Sequence, residues 1–371
     1  MKIRSLQVDG LNERTSARYV FHDDINIITG LNGSGKTTLL KLVWYLISGN
    51  AERIAPEMSY ESIELRTDLY EISLRNNDSI VSWSFAASGK NKIFGEHGVS
   101  EANKPRGGIE DLNRLVMKVE SQSQYFPTFR RIEGGYSISS SRRIRRYPEG
   151  SLYAASELSE IQHEMDNFSR RLSVNEHQFI CSISTNDIVL LLTKKYAAIS
   201  ESLNAEYKDF STSIIKIIEG AKSKNEEEID SSALDILNEL QGKADEINER
   251  REQYLKPFSV LSELTAKLFR HRGIKVRGVT LGDSIDAIDS AALSAGEKQM
   301  LSFLCYNAFS SNSVVFIDEP ELSLHPDWQR RLFPTLMKQQ PKNQFIVATH
   351  SPFIYSKYED KEILVGDERG E

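Results

Sequence analysis

The stretch that decides the fold is residues 25–46, which read INIITGLNGSGKTTLLKLVWYL. Its first five residues are mostly apolar and β-branched, which is typical of a buried strand. Its last nine carry leucines and aromatic residues, which indicates an apolar helix. Between them, residues 30–37 fit G-x-x-x-x-G-K-[ST] in full. We therefore predict an α/β fold in which a glycine-rich loop, placed between strand and helix, cradles phosphate groups.

The chemistry of this loop predicts roles for its residues. The glycines let backbone N–H groups curl around phosphate oxygens, and the start of the helix adds partial positive charge. Lys36 would reach the β- and γ-phosphates, and the Thr37 hydroxyl would ligate Mg²⁺. The predicted nucleotide contacts here are Asn32, Gly33, Ser34, Gly35, Lys36, Thr37 and Thr38. We expect no dinucleotide, because the overlapping Gly33-Ser-Gly35 lacks the third glycine of that fingerprint.

Later in the chain, polar residues follow two predicted strands. Four apolar residues, 314–317, precede the pair Asp318-Glu319, and His350 follows the apolar stretch 344–348. Asp318 would hold the metal ion or its water, and Glu319 would orient and polarise the attacking water. From residue 293 onward strands alternate with helices, which predicts a mostly parallel sheet with crossover helices.

The segment Leu293-Ser-Ala-Gly-Glu-Lys-Gln299 begins an apolar helix. One interpretation is purely structural, because Ser294 with Glu297 three residues later forms a capping box. That interpretation explains the serine and the glutamate but gives no reason for Gly296 or Gln299.

Taken in order, these motifs resemble those of the ABC-type ATPase superfamily. They are the phosphate loop, LSAGEKQ at 293–299, VVFIDEP at 314–320 and ATH at 348–350. The run ELSLHP at 321–326 is similar to the non-transporter branch, which holds Rad50/SMC-like proteins and the ATPases of overcoming-lysogeny-defect nucleases and related phage-defence systems. The resemblance implies an ABC-type ATPase head with a mixed sheet and an inserted helical, coiled-coil-like subdomain.

The resemblance also implies roles and cofactors, namely ATP and Mg²⁺. Glu319 would be the catalytic base, and His350 would contact the γ-phosphate. Ser294, Gly296 and Glu297 would contact the nucleotide held by a second copy of the chain. A working site would therefore need a homodimer or a larger homo-oligomer, with two ATP molecules between two copies.

The family also places a glutamine in the metal shell, in a loop after a strand of the first lobe. The matching segment is 116–131, and the sequence does not separate Gln122 from Gln124. We favour Gln122, which gives Thr37, Asp318 and Gln122 as the predicted metal-binding residues. The following segment, Phe126-Pro-Thr-Phe-Arg-Arg131, resembles one that follows this loop in the defence-type ATPases.

Composition excludes several classes of protein. The 371 residues include only two cysteines, so neither a disulfide framework nor a Cys-rich zinc cluster is expected. No apolar run approaches the roughly 20 residues of a membrane span, and residues 1–8 do not form the apolar h-region expected of a signal peptide. We expect a cytoplasmic protein without membrane contact. The net charge of −7 argues against a polybasic nucleic-acid binder, so any DNA contact must come from a local patch.

Proline and glycine divide the chain into parts. Residues 151–256 contain no proline and two glycines, which predicts a helical block. Apolar residues recur every three or four positions over 188–217 and again over 237–247, with a charged turn between them. A compact helical subdomain and a protruding antiparallel arm both fit this pattern. We predict an ATPase domain from 1–147 and 271–371, with a helical insertion at 148–270.

Two functions from different classes fit these observations. The first is an ATP-driven switch that controls a separate effector. Because 21 residues follow His350, we expect the effector to be another polypeptide. The resemblance to PARIS-type phage defence implies a Toprim-like nuclease as effector and a phage protein as trigger. The alternative is a DNA-binding repair ATPase of the Rad50/SMC kind.

DNA contact would require one of two basic clusters. The first, at 142–146, holds four arginines, and the second is RHRGIKVR at 270–277. Each could bind nucleic-acid phosphates or an acidic partner. Their structural interpretations are an exposed loop for the first and a charged strand edge for the second.

Overall fold

Two six-stranded sheets form the larger part of the architecture. In the computed structural model the described residues are 1–13, 15–77, 80–98, 108–128, 130–132, 164–165, 167–183, 185–222, 226–269, 273–276, 279–282, 287–289 and 292–366. Contacts divide them into two compact units. The first unit holds the described residues within 1–184, 293–303 and 310–371, and the second holds those within 185–292 and 304–309.

The first sheet is antiparallel throughout. Its order is β2 (Thr15–Val20), β1 (Ile3–Leu11), β4 (Ser62–Thr67), β5 (Tyr70–Asn77), β6 (Ile80–Ala87) and β7 (Ile93–Gly98). Residues of β4 and β5 alternate between buried and exposed, as expected of a sheet with one solvated face. Strands β5 and β6 pair over their whole length, from Tyr70 opposite Ala87 to Asn77 opposite Ile80.

The second sheet is parallel throughout and carries the phosphate loop. Its order is β10 (His177–Phe179), β8 (Ser123–Phe126), β15 (Val314–Asp318), β16 (Gln344–Ala348), β3 (Ile25–Thr29) and β17 (Glu362–Leu364). The three strands β15, β16 and β3 are buried at every position, as in a sheet covered on both faces. Their carboxyl ends meet at one edge.

The helices of the first unit connect these strands. They are α1 (Lys36–Ile47), α2 (Ile54–Glu57), α3 (Ile109–Met117), α7 (Pro326–Gln339) and α8 (Pro352–Tyr355), with 3-10 turns at Ala51–Arg53 and Glu359–Lys361. A short parallel pair joins β9 (Arg131–Ile132) to β11 (Ser182–Ile183). The α/β fold class is confirmed, with the two strand directions separated into two sheets rather than mixed within one.

The core of the first unit surrounds helix α1. Trp44 is fully buried, and its ring centroid lies 5.4 Å from those of Tyr125 and Phe179. Its indole N–H donates to the Ser123 hydroxyl at 3.1 Å, so the one polar atom of the ring is satisfied inside the core. This packing fixes α1 against strand β8.

The second unit contains two long helices and a small sheet. The helices are α4 (Thr185–Lys222) and α5 (Glu226–Leu268). Tyr254 of α5 donates to Glu206 of α4 at 3.2 Å, and Phe258 packs edge-on against Tyr196. Later residues of α5 thus meet earlier residues of α4, so the two helices are antiparallel. Helix α6 (Ala295–Ala308) begins in the first unit and ends in the second.

The small sheet has the order β13 (Val279–Gly282), β12 (Gly273–Val276) and β14 (Ala287–Asp289). The interpretation of the second basic cluster as a strand edge is wrong, because β12 is the central strand. Within the second cluster, residues 270–272 and 277 lie outside the described residues, and so does the first cluster at 142–146.

The boundaries of the predicted helical block differ from the structure. Residues 177–179 form β10, which joins the parallel sheet beside β8, so the block is not helical throughout. The boundaries of the compact units also differ from the predicted domain boundaries, which were at residues 147 and 271. Residues 167–183 belong to the first unit, and the described residues within 273–289 belong to the second. A strand added from a distant segment leaves no local signal, since its burial depends on the sheet that it joins.

Candidate nucleotide-binding site

The glycine-rich loop lies between β3 and α1, as predicted. Gly33 and Gly35 have φ angles of 81° and 103°, the left-handed region that side chains other than glycine disfavour. Gly35 caps helix α1, so the N–H groups of the first helical turn face the loop. Asn32 is exposed at its tip, and Ser34 donates its N–H to the Leu31 carbonyl at 3.1 Å. These positions leave a cradle of N–H groups suited to an anion.

Lys36 lies at the base of this cradle. Its side chain is buried, and its Nζ donates to the carbonyl oxygens of Gly30 at 3.0 Å and Leu31 at 3.1 Å. Burial lowers the pKa of Lys36, and the negative charges of Glu319 and Asp318 oppose that effect. The ammonium group is therefore held within the loop, where phosphate oxygens would supply the negative charge that carbonyls only partly provide.

The surroundings of the Asp318 carboxylate show whether a divalent cation would fit beside the phosphate loop. It ends β15 and is fully buried. Its Oδ2 accepts from the Thr37 hydroxyl at 2.8 Å and from the Thr128 hydroxyl. Its Oδ1 is buried with no hydrogen-bond partner among the described residues. A buried, unpartnered carboxylate oxygen beside a hydroxyl is the donor set that Mg²⁺ would satisfy.

The protein supplies few ligands at this edge. Among the described residues, no group of three or more His, Cys, Asp and Glu side chains could hold a metal ion. Mg²⁺ commonly binds through one or two protein oxygens together with substrate phosphates and water. The pair Thr37 and Asp318 matches that arrangement.

Glu319 follows Asp318 and points toward His350. Glu319 Oε1 lies 3.5 Å from His350 Nε2. Burial, followed by hydrogen bonding and negative charge from Glu321, raises the pKa of Glu319 above its usual range. Burial and the positive charge of Lys36 lower the pKa of His350. A carboxylate with a raised pKa is a stronger proton acceptor than an ordinary glutamate.

Glu321 holds the histidine segment in place. One carboxylate oxygen accepts from the Thr349 hydroxyl and the other from the His350 backbone N–H, both at 2.7 Å. Sequence reasoning did not identify Glu321 as a site residue. Its signal was present as the third acidic residue of Asp318-Glu319-Pro-Glu321, but its partners are 28 and 29 residues away in the chain.

The prediction of Gln122 as a metal-shell residue is wrong. In the parallel register Ser123 pairs with Val314, so Gln122 lies beside Ser313 at the amino end of β15. Asp318 lies five positions further along the strand from Ser313, or roughly 16 Å away. The Gln122 side chain donates instead to the Ser311 carbonyl. Its alternative, Gln124, is buried and donates to the Ser310 hydroxyl at 2.6 Å.

Two residues after β8, Thr128 and Arg130, contact Asp318, where the metal-shell glutamine was expected. Thr128 donates its hydroxyl to Asp318 Oδ2. The guanidinium group of Arg130 donates to the carbonyls of Asp318 and Glu319. The segment Phe126-Pro-Thr-Phe-Arg-Arg131 carried the signal, since it follows a strand and combines a proline, a hydroxyl and basic residues.

Ser294, Gly296 and Glu297 form a second cluster at the start of α6. The Ser294 hydroxyl and N–H both donate to Glu297 Oε2 at 2.8 Å, and the Glu297 N–H donates back to Ser294 Oγ at 3.3 Å. The capping box is therefore present, and Ser294 is exposed. A Cβ on Gly296 would lie 2.3 Å from the Ser323 carbonyl oxygen, so close packing requires glycine there. Buried Gln299 donates to the Pro320 carbonyl at 3.1 Å.

A cavity of about 740 Å³ lies beside the proposed metal position. Thr37 and Asp318 line it together with Tyr45, which lies two helical turns further along α1. Phe168 and Phe179 contribute aromatic wall. The edge that carries Asp318 is therefore open to the surface of α1 that follows the loop.

Comparison with known protein families identifies the family of this chain. Residues 1–355 match the family described as AAA ATPase domain (AAA_15). The chain belongs to this family. The prediction of an ATPase domain is thus confirmed, and the cluster around Lys36 and Asp318 lies within it. No helix among the described residues is long and apolar enough to cross a membrane.

Two curated relatives carry related names. The chain is 27% identical to the Retron Ec83 probable ATPase of Escherichia coli, over 42% of this chain and 32% of that protein. It is 22% identical to the Retron Vc95 probable ATPase of Vibrio cholerae serotype O1 biovar El Tor, over 92% of this chain and 68% of that protein. The chain thus spans about a third of the first relative and about two thirds of the second.

Solved structures of Smc heads cover the chain but superpose on it loosely. A Pyrococcus furiosus Smc head domain with an extended coiled coil, bound to the C-terminal domain of ScpA, is 15% identical. It covers 96% of this chain and 91% of its own, with a TM-score of 0.38. A SmcHead bound to the C-winged helix domain of ScpA is 13% identical, covers 100% and 96%, and has a TM-score of 0.45.

Proposed function

We propose that this protein binds and hydrolyses ATP as a switch that closes around nucleotide with a second copy of itself and controls a separate effector protein in anti-phage defence. One observation carries the nucleotide chemistry. The side chains that meet at the carboxyl edge of the parallel sheet are those of Lys36, Thr37, Asp318, Glu319 and His350. One buried carboxylate oxygen of Asp318 has no hydrogen-bond partner in the part of the chain that the structure describes. Parallel sheets bind ligands at this edge.

Each residue of the nucleotide-binding site has a separate role in hydrolysis. Lys36 and the loop N–H groups bind the phosphates, and Thr37 and Asp318 hold Mg²⁺. When bound, Mg²⁺ neutralises charge on the phosphate oxygens. Glu319, whose carboxylate lies 3.5 Å from His350 beside the phosphate loop, accepts the proton of the attacking water. His350, held by Glu321, contacts the γ-phosphate.

The second copy completes the site. Ser294 is exposed at the start of α6, where the helix end favours negative charge. We propose that Ser294, Gly296 and Glu297 of one copy contact the ATP held by the other. The γ-phosphate then favours the closed pair over the open one, which gives the switch its direction.

The defence role is supported by the order of the motifs, which resembles that of phage-defence ATPases. Both curated relatives are named as probable ATPases of retrons, which supports the ATPase part of the proposal. We propose a Toprim-like nuclease as the effector, as in PARIS-type systems, and a phage protein as the trigger. The alternative function, a DNA-binding repair ATPase of the Rad50/SMC kind, is distinguished by the second experiment below.

The nucleotide part is tested with Glu319→Gln. Phosphate release, ATP affinity and native mass are measured with Mg²⁺ for the wild type, Glu319→Gln and the control Glu359→Gln on an exposed turn. We expect Glu319→Gln to bind ATP, to hydrolyse it at least about a hundredfold more slowly, and to accumulate as a two-copy species. Hydrolysis by Glu319→Gln at the wild-type rate would overturn the assignment.

The defence part is tested with the chain expressed beside its chromosomal neighbours. We expect the wild type to reduce phage plaques, Lys36→Ala to abolish that reduction, and a nuclease encoded nearby to co-purify with the chain. Protection that persists in Lys36→Ala would contradict the proposal. ATPase activity stimulated by duplex DNA, with an affinity that falls steeply with salt, would instead favour the repair alternative.

A further inference from the structure

Arg130 is a buried cation that binds backbone rather than a carboxylate. Its side chain is 8% exposed. Nη1 donates to the carbonyl oxygens of Pro127 at 2.7 Å and Asp318 at 2.5 Å, and Nη2 donates to that of Glu319 at 2.7 Å. Its guanidinium carbon lies 5.7 Å from the ring centroid of Phe303. Removing a cation from water is costly, so these contacts must compensate for it.

The backbone that Arg130 binds is strained. Glu319 has a φ angle of 50°, a left-handed conformation that residues with a Cβ disfavour by about 1–2 kcal/mol. The Glu319 N–H donates to the Ala348 carbonyl at 2.9 Å, and its own carbonyl accepts from Arg130. Both sides of this residue are thus held, one from β16 and one from the segment after β8. Since φ and ψ set the direction of Cβ, this clamp decides where the Glu319 carboxylate points.

We propose that Arg130 is a positioning residue for hydrolysis, which clamps the carbonyls of Asp318 and Glu319 and so aims the Glu319 carboxylate at the attacking water. The planar fork of a guanidinium spans two neighbouring carbonyls, whereas the compact ammonium of lysine does not. Thr128, two residues earlier, donates to the Asp318 side chain, so this short segment reaches both residues of the acidic pair. The inference rests on the proposed function, because it takes Glu319 as the base.

The test uses Arg130→Lys in the full chain, with Arg330→Lys on the exposed face of α7 as the matched control. We expect Arg130→Lys to keep the wild-type affinity for ATP and to lower kcat roughly tenfold to a hundredfold, since a displacement of about 1 Å at a catalytic group has effects of that size. Arg330→Lys should leave both unchanged. In Arg130→Ala, added guanidinium should restore part of kcat, and methylammonium should not.

A double-mutant cycle separates positioning from general damage. If Arg130 acts through Glu319, adding Arg130→Lys to Glu319→Gln should not slow the residual hydrolysis further. An equal fall in both backgrounds, or a normal kcat in Arg130→Lys, would overturn the inference while leaving the proposed function intact. A normal rate in Glu319→Gln alone would overturn both. Should Arg130→Ala fail to fold, the lysine variant and the cycle still decide the question.

Discussion

At the scale of single residues, Lys36 decides whether nucleotide binds. Its ammonium group already lies within the loop, held by two carbonyls. Replacing Lys36 with alanine should weaken ATP binding roughly a hundredfold, because two charge-assisted hydrogen bonds to phosphate are lost. Titration with a fluorescent ATP analogue and Mg²⁺ measures this. Lys118→Ala, on the exposed end of α3, is the control and should bind normally. Equal affinities would show that the loop does not hold the phosphates.

His177 makes folding sensitive to acid. It is 1% exposed, its Nδ1 lies 2.8 Å from the Ser123 hydroxyl, and burial lowers its pKa to about 4. The unfolded chain takes up the proton near pH 6.5, so this contribution to stability is complete above pH 6.5 and is lost as pH falls toward 4. The shift corresponds to about 3 kcal/mol in full, and to about 2 kcal/mol by pH 5.

Denaturant unfolding of wild type and His177→Gln, near neutral pH and at about pH 5, tests this contribution. Glutamine keeps hydrogen-bonding capacity but does not titrate. The variant should therefore lose less stability on acidification than the wild type. Parallel losses in the two proteins would mean that other groups set the acid sensitivity.

At the scale of elements, helix α6 is fixed by the close approach of its first turn to the segment after Glu319. Gly296→Ala would place a Cβ 2.3 Å from the Ser323 carbonyl, a backbone atom that cannot turn aside. We expect a loss of about 1–3 kcal/mol in the free energy of unfolding, as for other overpacked sites. A denaturation curve measures it.

Gly242→Ala in α5 is the matched control, because no neighbouring atom of the described residues lies within 4 Å of a Cβ at that position. There alanine should stabilise the protein by about 0.5–1 kcal/mol, since glycine is a poor residue within a helix. Opposite signs are thus expected for the same chemical change. A stable Gly296→Ala would show that α6 moves easily relative to residues 320–324.

At the scale of the whole molecule, substitution of the exposed Ser294 tests whether two copies of the chain assemble around ATP. Ser294→Arg should spare ATP binding by a single chain and block the closed pair, because the bulky side chain occupies the face on which the partner's nucleotide would rest. Ser294→Ala also removes the helix cap, at about 1 kcal/mol, but adds no bulk and should still assemble. Native mass with ATP and Mg²⁺, in the Glu319→Gln background, measures assembly. Normal assembly of Ser294→Arg would remove the contact between copies.

Much of the site could be predicted from local patterns. The loop at 30–37, the acidic pair at 318–319 and the strands around them follow from short runs of sequence, because each depends on neighbours in the chain. The two long helices could also be predicted from their apolar repeats. Helix α4 extends a few residues beyond 188–217 at each end, whereas α5 extends well beyond 237–247.

The remaining features depend on residues far apart in the chain. Strand pairing and register decide three of these features. They place β10 in the parallel sheet, Gln122 at the end of β8 away from Asp318, and Arg130 within reach of Glu319. The segments brought together are up to about 190 residues apart in the chain. The sequence by itself determined which chemical groups the protein carries for binding a triphosphate. The tertiary structure alone decided which of them share an edge of the sheet, because hydrogen-bond pairing between distant strands fixes the carboxyl ends where those groups meet.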